Sequence, residues 1–148
     1  MKVYLASSFA LIPLVKEVAK YLENRGHEIT VKWWSREYEI PGELAPVPTT
    51  VLKLRNNDLD PKAFYCKPET ERSYNADFKG IKDADALVII SGHVPRYFTG
   101  ANIELGIALA LGKTCYALGA LRNSAIYYPV IRCKNIRQLT DELGDDIE

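Results

Sequence analysis

The sequence predicts a single α/β domain over residues 1–148, built on a doubly wound parallel sheet of the Rossmann or flavodoxin kind. Three observations point there. Short apolar runs alternate with stretches of helical periodicity along the chain. Ala86 to Ile90 is apolar at every position, as a strand buried on both faces of a parallel sheet requires. The 148 residues, 47% hydrophobic and 26% charged, suffice for one hydrophobic core.

The elements follow in order. Val3 to Ala6 reads as a first strand. From Leu11 to Asn24 the positions Leu11, Leu14, Val15, Val18, Tyr21 and Leu22 recur at helical spacing, with Lys16, Glu17, Lys20 and Glu23 opposite and Gly26 as the stop. Glu28 to Trp33 alternates, placing Ile29, Val31 and Trp33 on one side of a second strand. Ser35 to Lys67 holds Pro41, Pro46, Pro48 and Pro61 and has no period, so it reads as a long loop of the kind that often serves as a lid. A helix from Pro68 to near Asp83 carries Tyr74, Phe78 and Ile81 on its apolar side. After the central strand come an apolar helix from Gly100 to Gly112 and a strand from Thr114 to Leu118. A last strand over Tyr127 to Ile131 and a last helix over Asn135 to Leu143 complete the chain. Right-handed crossovers then put ligands beyond the carboxyl ends of the strands, near Ser7-Ser8, Trp33-Trp34, Ser91-Gly92-His93 and Gly119.

Composition narrows the function. With 19 basic and 19 acidic side chains the formal net charge is zero and no basic stripe stands out, which argues against a nucleic-acid partner and for a small-molecule one. No run approaches about 18 apolar residues, so no membrane partner is expected. The apolar N-terminal run is too short for a signal peptide, and Cys66, Cys115 and Cys133 form no CxxC pair. The expectation is a cytoplasmic protein without disulfides, metal site or cofactor, with Cys115 and Cys133 as small core residues.

Glu104 carries the most information. It is the one charged side chain between Arg96 and Lys113, on a helix apolar all round and therefore read as buried. A buried carboxylate costs several kcal/mol unless compensated. Gly100-Ala101-Asn102 reads as the helix entrance, where free N–H groups and the dipole favour an anion. A first-turn Glu capping its own helix is the plainer reading. Its place just after the third strand, on the ligand side, favours chemistry.

Two separated segments resemble the nucleoside 2-deoxyribosyltransferase family and its nucleotide-hydrolysing relatives. They are Tyr74-Asn75-Ala76-Asp77-Phe78-Lys79-Gly80-Ile81-Lys82-Asp83-Ala84-Asp85 and Gly100-Ala101-Asn102-Ile103-Glu104-Leu105-Gly106-Ile107-Ala108, closed by Leu111-Gly112-Lys113. Val3-Tyr4-Leu5-Ala6 is similar to the family's first strand. The resemblance implies that Glu104 is the nucleophile that forms a glycosyl ester, as in retaining glycosidases. It implies that Asp77 manages a proton of the nucleobase, and that the Tyr4 hydroxyl holds the nucleophile. Taken alone, Asp77 reads as solvated and Tyr4 as a core aromatic.

Further candidates for substrate binding are Gly100 and Asn102 at the helix entrance, and Ser7 and Ser8, which suit a phosphate or a plain N-cap. Trp34 offers stacking, and His93 sits at a strand end. Ser124, in Asn123-Ser124-Ala125-Ile126, resembles the segment with which the family reaches a neighbouring subunit's site. Two departures bear on the 5′ position. Phe98 stands six residues before Glu104, where the transferases tend to carry an acid and the hydrolases a serine, and the chain ends Asp145-Asp146-Ile147-Glu148 without an aromatic terminus. Three functions stay open: deoxyribosyl transfer between bases, hydrolysis of nucleoside 5′-monophosphates, and nucleotide binding without turnover. Transfer leads. The apolar Gly100–Gly112 helix, the aromatic Tyr127-Tyr128-Pro129 and the resemblance together predict a homodimer or higher homo-oligomer.

Overall fold

The computed structural model of the chain describes residues 1–35, 68–92 and 99–144. All of the long loop after Ser35, with Cys66, lies outside the described residues, as do His93 and Phe98. Five parallel strands form one sheet in the order β2-β1-β3-β4-β5: β1 (Lys2–Ala6), β2 (Glu28–Ile29), β3 (Ala86–Gly92), β4 (Thr114–Gly119) and β5 (Ile131–Cys133). The chain winds from β1 outward to β2, then back across to β3, so the order reverses between β1 and β3. This is the doubly wound α/β fold. Its central strands are buried on both faces, from Val3 to Ala6 and from Ala86 to Ser91, which is why their sequences carry no polar alternation.

Four helices flank the sheet among the described residues: α1 (Ile12–Glu23), α2 (Pro68–Asp83), α3 (Thr99–Ala110) and α4 (Ile136–Leu143). Helices α2 and α3 pack on each other and on β1, and α4 packs on β4 and β5. Pro13 lies in the first turn of α1, where a missing N–H costs nothing, and Gly26 with φ +86° follows the end of the helix. Asn135 caps α4, its side chain accepting from Gln138 N at 2.9 Å. Among the described residues, no helix is long and apolar enough to cross a membrane.

Three expectations need correction. The second strand stops at Ile29, and Trp33–Ser35 form a 3-10 turn instead. Its ladder runs from Glu28 N to Met1 O and from Thr30 N to Val3 O, so the next acceptor in step is Leu5 O. The buried indole Nε1 of Trp33 donates to that oxygen at 2.8 Å, satisfying itself and ending the pairing. The last strand begins at Ile131, not Tyr127, because Pro129 has no N–H for a ladder and Ala125–Tyr127 turn as a 3-10 helix.

Helix α3 is not buried all round. Ala101, Leu105 and Ala108 face the core, while Asn102, Ile103 and Gly106 are exposed, since one sheet and one neighbouring helix cover only part of its circumference. His27 is buried, its Nδ1 accepts from the Met1 ammonium at 3.3 Å, and its Nε2 donates to Gly144 O at 2.9 Å, joining the two ends of the described chain.

Candidate active site

Along α2, Tyr74, Asp77, Phe78 and Ile81 are spaced to share one helix face, and along α3 so are Gly100, Ile103, Glu104 and Ile107. The two faces meet across a cavity of about 210 Å³ lined by these eight residues. Asp77 and Glu104, distant in sequence, therefore share one small chamber with largely apolar walls. Both are half-buried. Gly100 lines the chamber too, and a β-carbon there would stand 4.0 Å from Glu104 Oε1, so the glycine leaves the approach to the carboxylate open.

The way Glu104 is accommodated differs from the sequence expectation. Helix α3 begins at Thr99 and has no acidic residue in its first turn, so Glu104 lies beyond the terminal N–H groups and the strongest part of the dipole. The same fact removes the reading of Glu104 as its own helix cap. Glu104 sits at a cavity wall, and not where a capping group would.

Tyr4 is wholly buried in β1, with its ring under α2: a β-carbon at Gly80 would come within 3.3 Å of Tyr4 Cδ2 and would collide with Val31 Cγ2. The glycine is what lets α2 settle against Val31 and Tyr4. Tyr4 thus lies on the α2 side of the sheet but does not line the chamber. Ser7 donates from Oγ to Ile90 O at 2.7 Å, bridging the ends of β1 and β3. Ser8 occupies the N-cap position of the 3-10 turn Phe9–Leu11 without a side-chain capping bond, and its buried Oγ has no partner among the described residues. Trp34 is half-buried and meets the core Trp33 edge-on at 5.5 Å.

Asn102 and Ser124 are also elsewhere. Asn102 is exposed, and its Oδ1 accepts from Tyr127 Oη at 2.9 Å. Two residues along a helix are roughly 200° apart around its axis, so this bond forms on the side of α3 away from Glu104. Tyr127 is buried, not interface surface, whereas Ser124, Ile126 and Tyr128 beside it are exposed. The sequence reading missed Tyr74, Phe78, Ile103 and Ile107 as lining residues. Their spacing around Asp77 and Glu104 was the available signal.

A larger cavity of about 320 Å³ lies on the other face of the sheet, between α1 and the start of α4, and holds neither carboxylate. Among the described residues no three His, Cys, Asp or Glu side chains are grouped to hold a metal ion. Burial pushes the Cys115 thiol up to about 11, and Cys133 is shifted upward for the same reason, so both behave as small core residues.

No family model matches the sequence, and no curated protein matches it. Among solved structures 28 chains match. One is a CMP N-glycosidase, BcmB, from Clostridium botulinum, 17% identical with a TM-score of 0.55 over 97% of this chain and 98% of that one. The likeness runs nearly end to end and shows the fold.

Proposed function

We propose that this protein cleaves the N-glycosidic bond of a nucleoside or nucleotide. The observation that carries the reading is the shared chamber of Asp77 and Glu104. A carboxylate oxygen of Glu104 bonds to the anomeric carbon as the C–N bond breaks, and the bonding pair leaves with the base. Asp77 gives the base a proton, because an unprotonated base leaves poorly. Water, or a second base, then attacks the anomeric carbon and gives its proton back to the Asp77 carboxylate, which breaks the ester and frees Glu104 with net retention at that carbon.

The acceptor separates two readings. Water is favoured by the end-to-end fold likeness to an enzyme described as a CMP N-glycosidase. Transfer to a second base is favoured by the resemblance of the Tyr74–Asp85 and Gly100–Ala108 segments to deoxyribosyltransferases. The test incubates the protein with ribo- and deoxynucleosides and their 5′-monophosphates, each with and without a second base, and identifies products by chromatography. Base release without an acceptor supports hydrolysis, and a new nucleoside supports transfer. Glu104→Ala is expected to lose turnover by several powers of ten while staying folded. A folded Glu104→Ala variant with near-normal activity overturns the mechanism.

The reading extends to a homo-oligomer. Tyr127 anchors the Ser124 turn on the side of α3 away from its own Glu104, and Ser124 does not line the chamber. Exposed Ile126 and Tyr128 beside it suit contact with a second copy, whose chamber Ser124 would complete. Mixing inactive Glu104→Ala chains with inactive Ser124→Trp chains should restore activity. A fully active monomer in sedimentation at assay concentration ends the idea.

A further inference from the structure

Tyr74 and Phe78 are 61% and 37% exposed, although they sit on the face of α2 that carries the buried Ile81. Their rings are stacked 16° from parallel with centroids 6.2 Å apart, and both line the chamber that holds Asp77 and Glu104. Ile103, 60% exposed, lines it from α3. Contiguous exposed apolar groups mark a surface that something covers. Here the surface belongs to the wall of a small cavity with two carboxylates in it, which suits a planar small molecule.

We propose that the Tyr74–Phe78 stack is the platform on which the leaving base lies, and that Tyr74 sets the preference for an aromatic leaving group. The proposal rests on the N-glycosidase reading and adds to it the residues that recognise the base. Asp77 falls three positions after Tyr74 and one before Phe78 on the same stretch of helix. A base laid against these rings therefore brings an edge nitrogen toward the one carboxyl on α2 within the chamber, while Glu104 meets the sugar from α3. Every nucleobase has a π face, so such a platform holds purines and pyrimidines alike. Discrimination among bases falls to the edge at Asp77.

The experiment compares nucleosides with ribosyl and 2-deoxyribosyl fluorides, whose leaving group has no ring to stack. Tyr74→Leu keeps apolar bulk and helix propensity, and Tyr74→Phe keeps the ring. In Tyr74→Leu, kcat/KM for nucleosides is expected to fall at least about tenfold more than for the fluorides, the scale of one lost base–aromatic stack. Tyr74→Phe is expected to recover most of that difference. Equal losses on both substrate classes, or no loss on either, overturn the proposal. So does an altered sedimentation coefficient with discrimination unchanged, which would mean that a second copy covers the rings. If the wild-type protein cleaves neither class, the catalytic reading has failed on its own. Calorimetry with free cytosine and adenine then decides the platform: binding about tenfold weaker in Tyr74→Leu upholds it, and unchanged or undetectable binding overturns it.

Discussion

Gly119 and Gly106 should respond to the same substitution with opposite signs. Gly119 ends β4 at φ +109°, and a β-carbon there would press into the carbonyl oxygen of Gly92, 2.8 Å from Gly92 N and 2.9 Å from Ser91 Oγ. These atoms have little freedom to withdraw. Gly92 O accepts from Ala120 N at 2.9 Å, and Ser91 is fully buried. A left-handed backbone costs an alanine roughly 1–2 kcal/mol, and overpacking adds roughly 1–3 kcal/mol. Gly119→Ala should therefore lose about 2–5 kcal/mol. With a urea dependence of about 2 kcal/mol per molar, the midpoint falls by about 1–2.5 M. Gly106 lies within α3 with nothing inside 4 Å of its missing β-carbon. There alanine removes backbone entropy from the unfolded chain, and the gain is about 0.5–1 kcal/mol, a midpoint rise of about 0.3–0.5 M. Urea titration followed by the fluorescence of Trp33 and Trp34 reads both variants. A Gly119→Ala midpoint within about 0.3 M of wild type would refute the packing argument.

Asp77→Asn should slow nucleosides by roughly a hundredfold, the usual scale for a lost proton donor, and slow glycosyl fluorides far less; equal slowing in steady-state assays assigns Asp77 to structure. His27→Leu severs the links to the Met1 ammonium and to Gly144 O. It should cost about 1–2 kcal/mol in urea unfolding, because the freed Gly144 carbonyl is exposed enough to be hydrated. Stability should also decline as pH rises from about 9 to about 11. The Cys115 thiol ionises near 9.0 when unfolded but only near 11 when buried, so above pH 9 the unfolded chain holds fewer protons and gains. Tyr116 and Cys133 are shifted in the same direction and add to the slope. Urea midpoints at several alkaline pH values, with Cys115→Ala flattening the trend, check this.

The sequence by itself determined the order and kind of the elements, because those depend on contacts within one turn or one strand. The unbroken apolar run of β3 announces burial on both faces, the spacing of Val15, Val18 and Leu22 announces a helix on a sheet, and Asn135 announces the start of α4. The isolation of Glu104 among apolar neighbours was legible for the same local reason. The family resemblance singled out Asp77 beside it.

Only the tertiary structure decided where strands end and what each face meets. The second strand stops because the indole of Trp33 takes the carbonyl of Leu5, a partner 28 residues away. Tyr74 and Phe78 read as core positions, and yet they stay exposed and line a chamber between α2 and α3. Tyr127 read as surface and is buried, with its hydroxyl bonded to Asn102. An apolar side chain at helical spacing states that it prefers to leave water, but not whether protein, ligand or a second chain will cover it. That choice is made by the packing of distant segments, and no local pattern contains it.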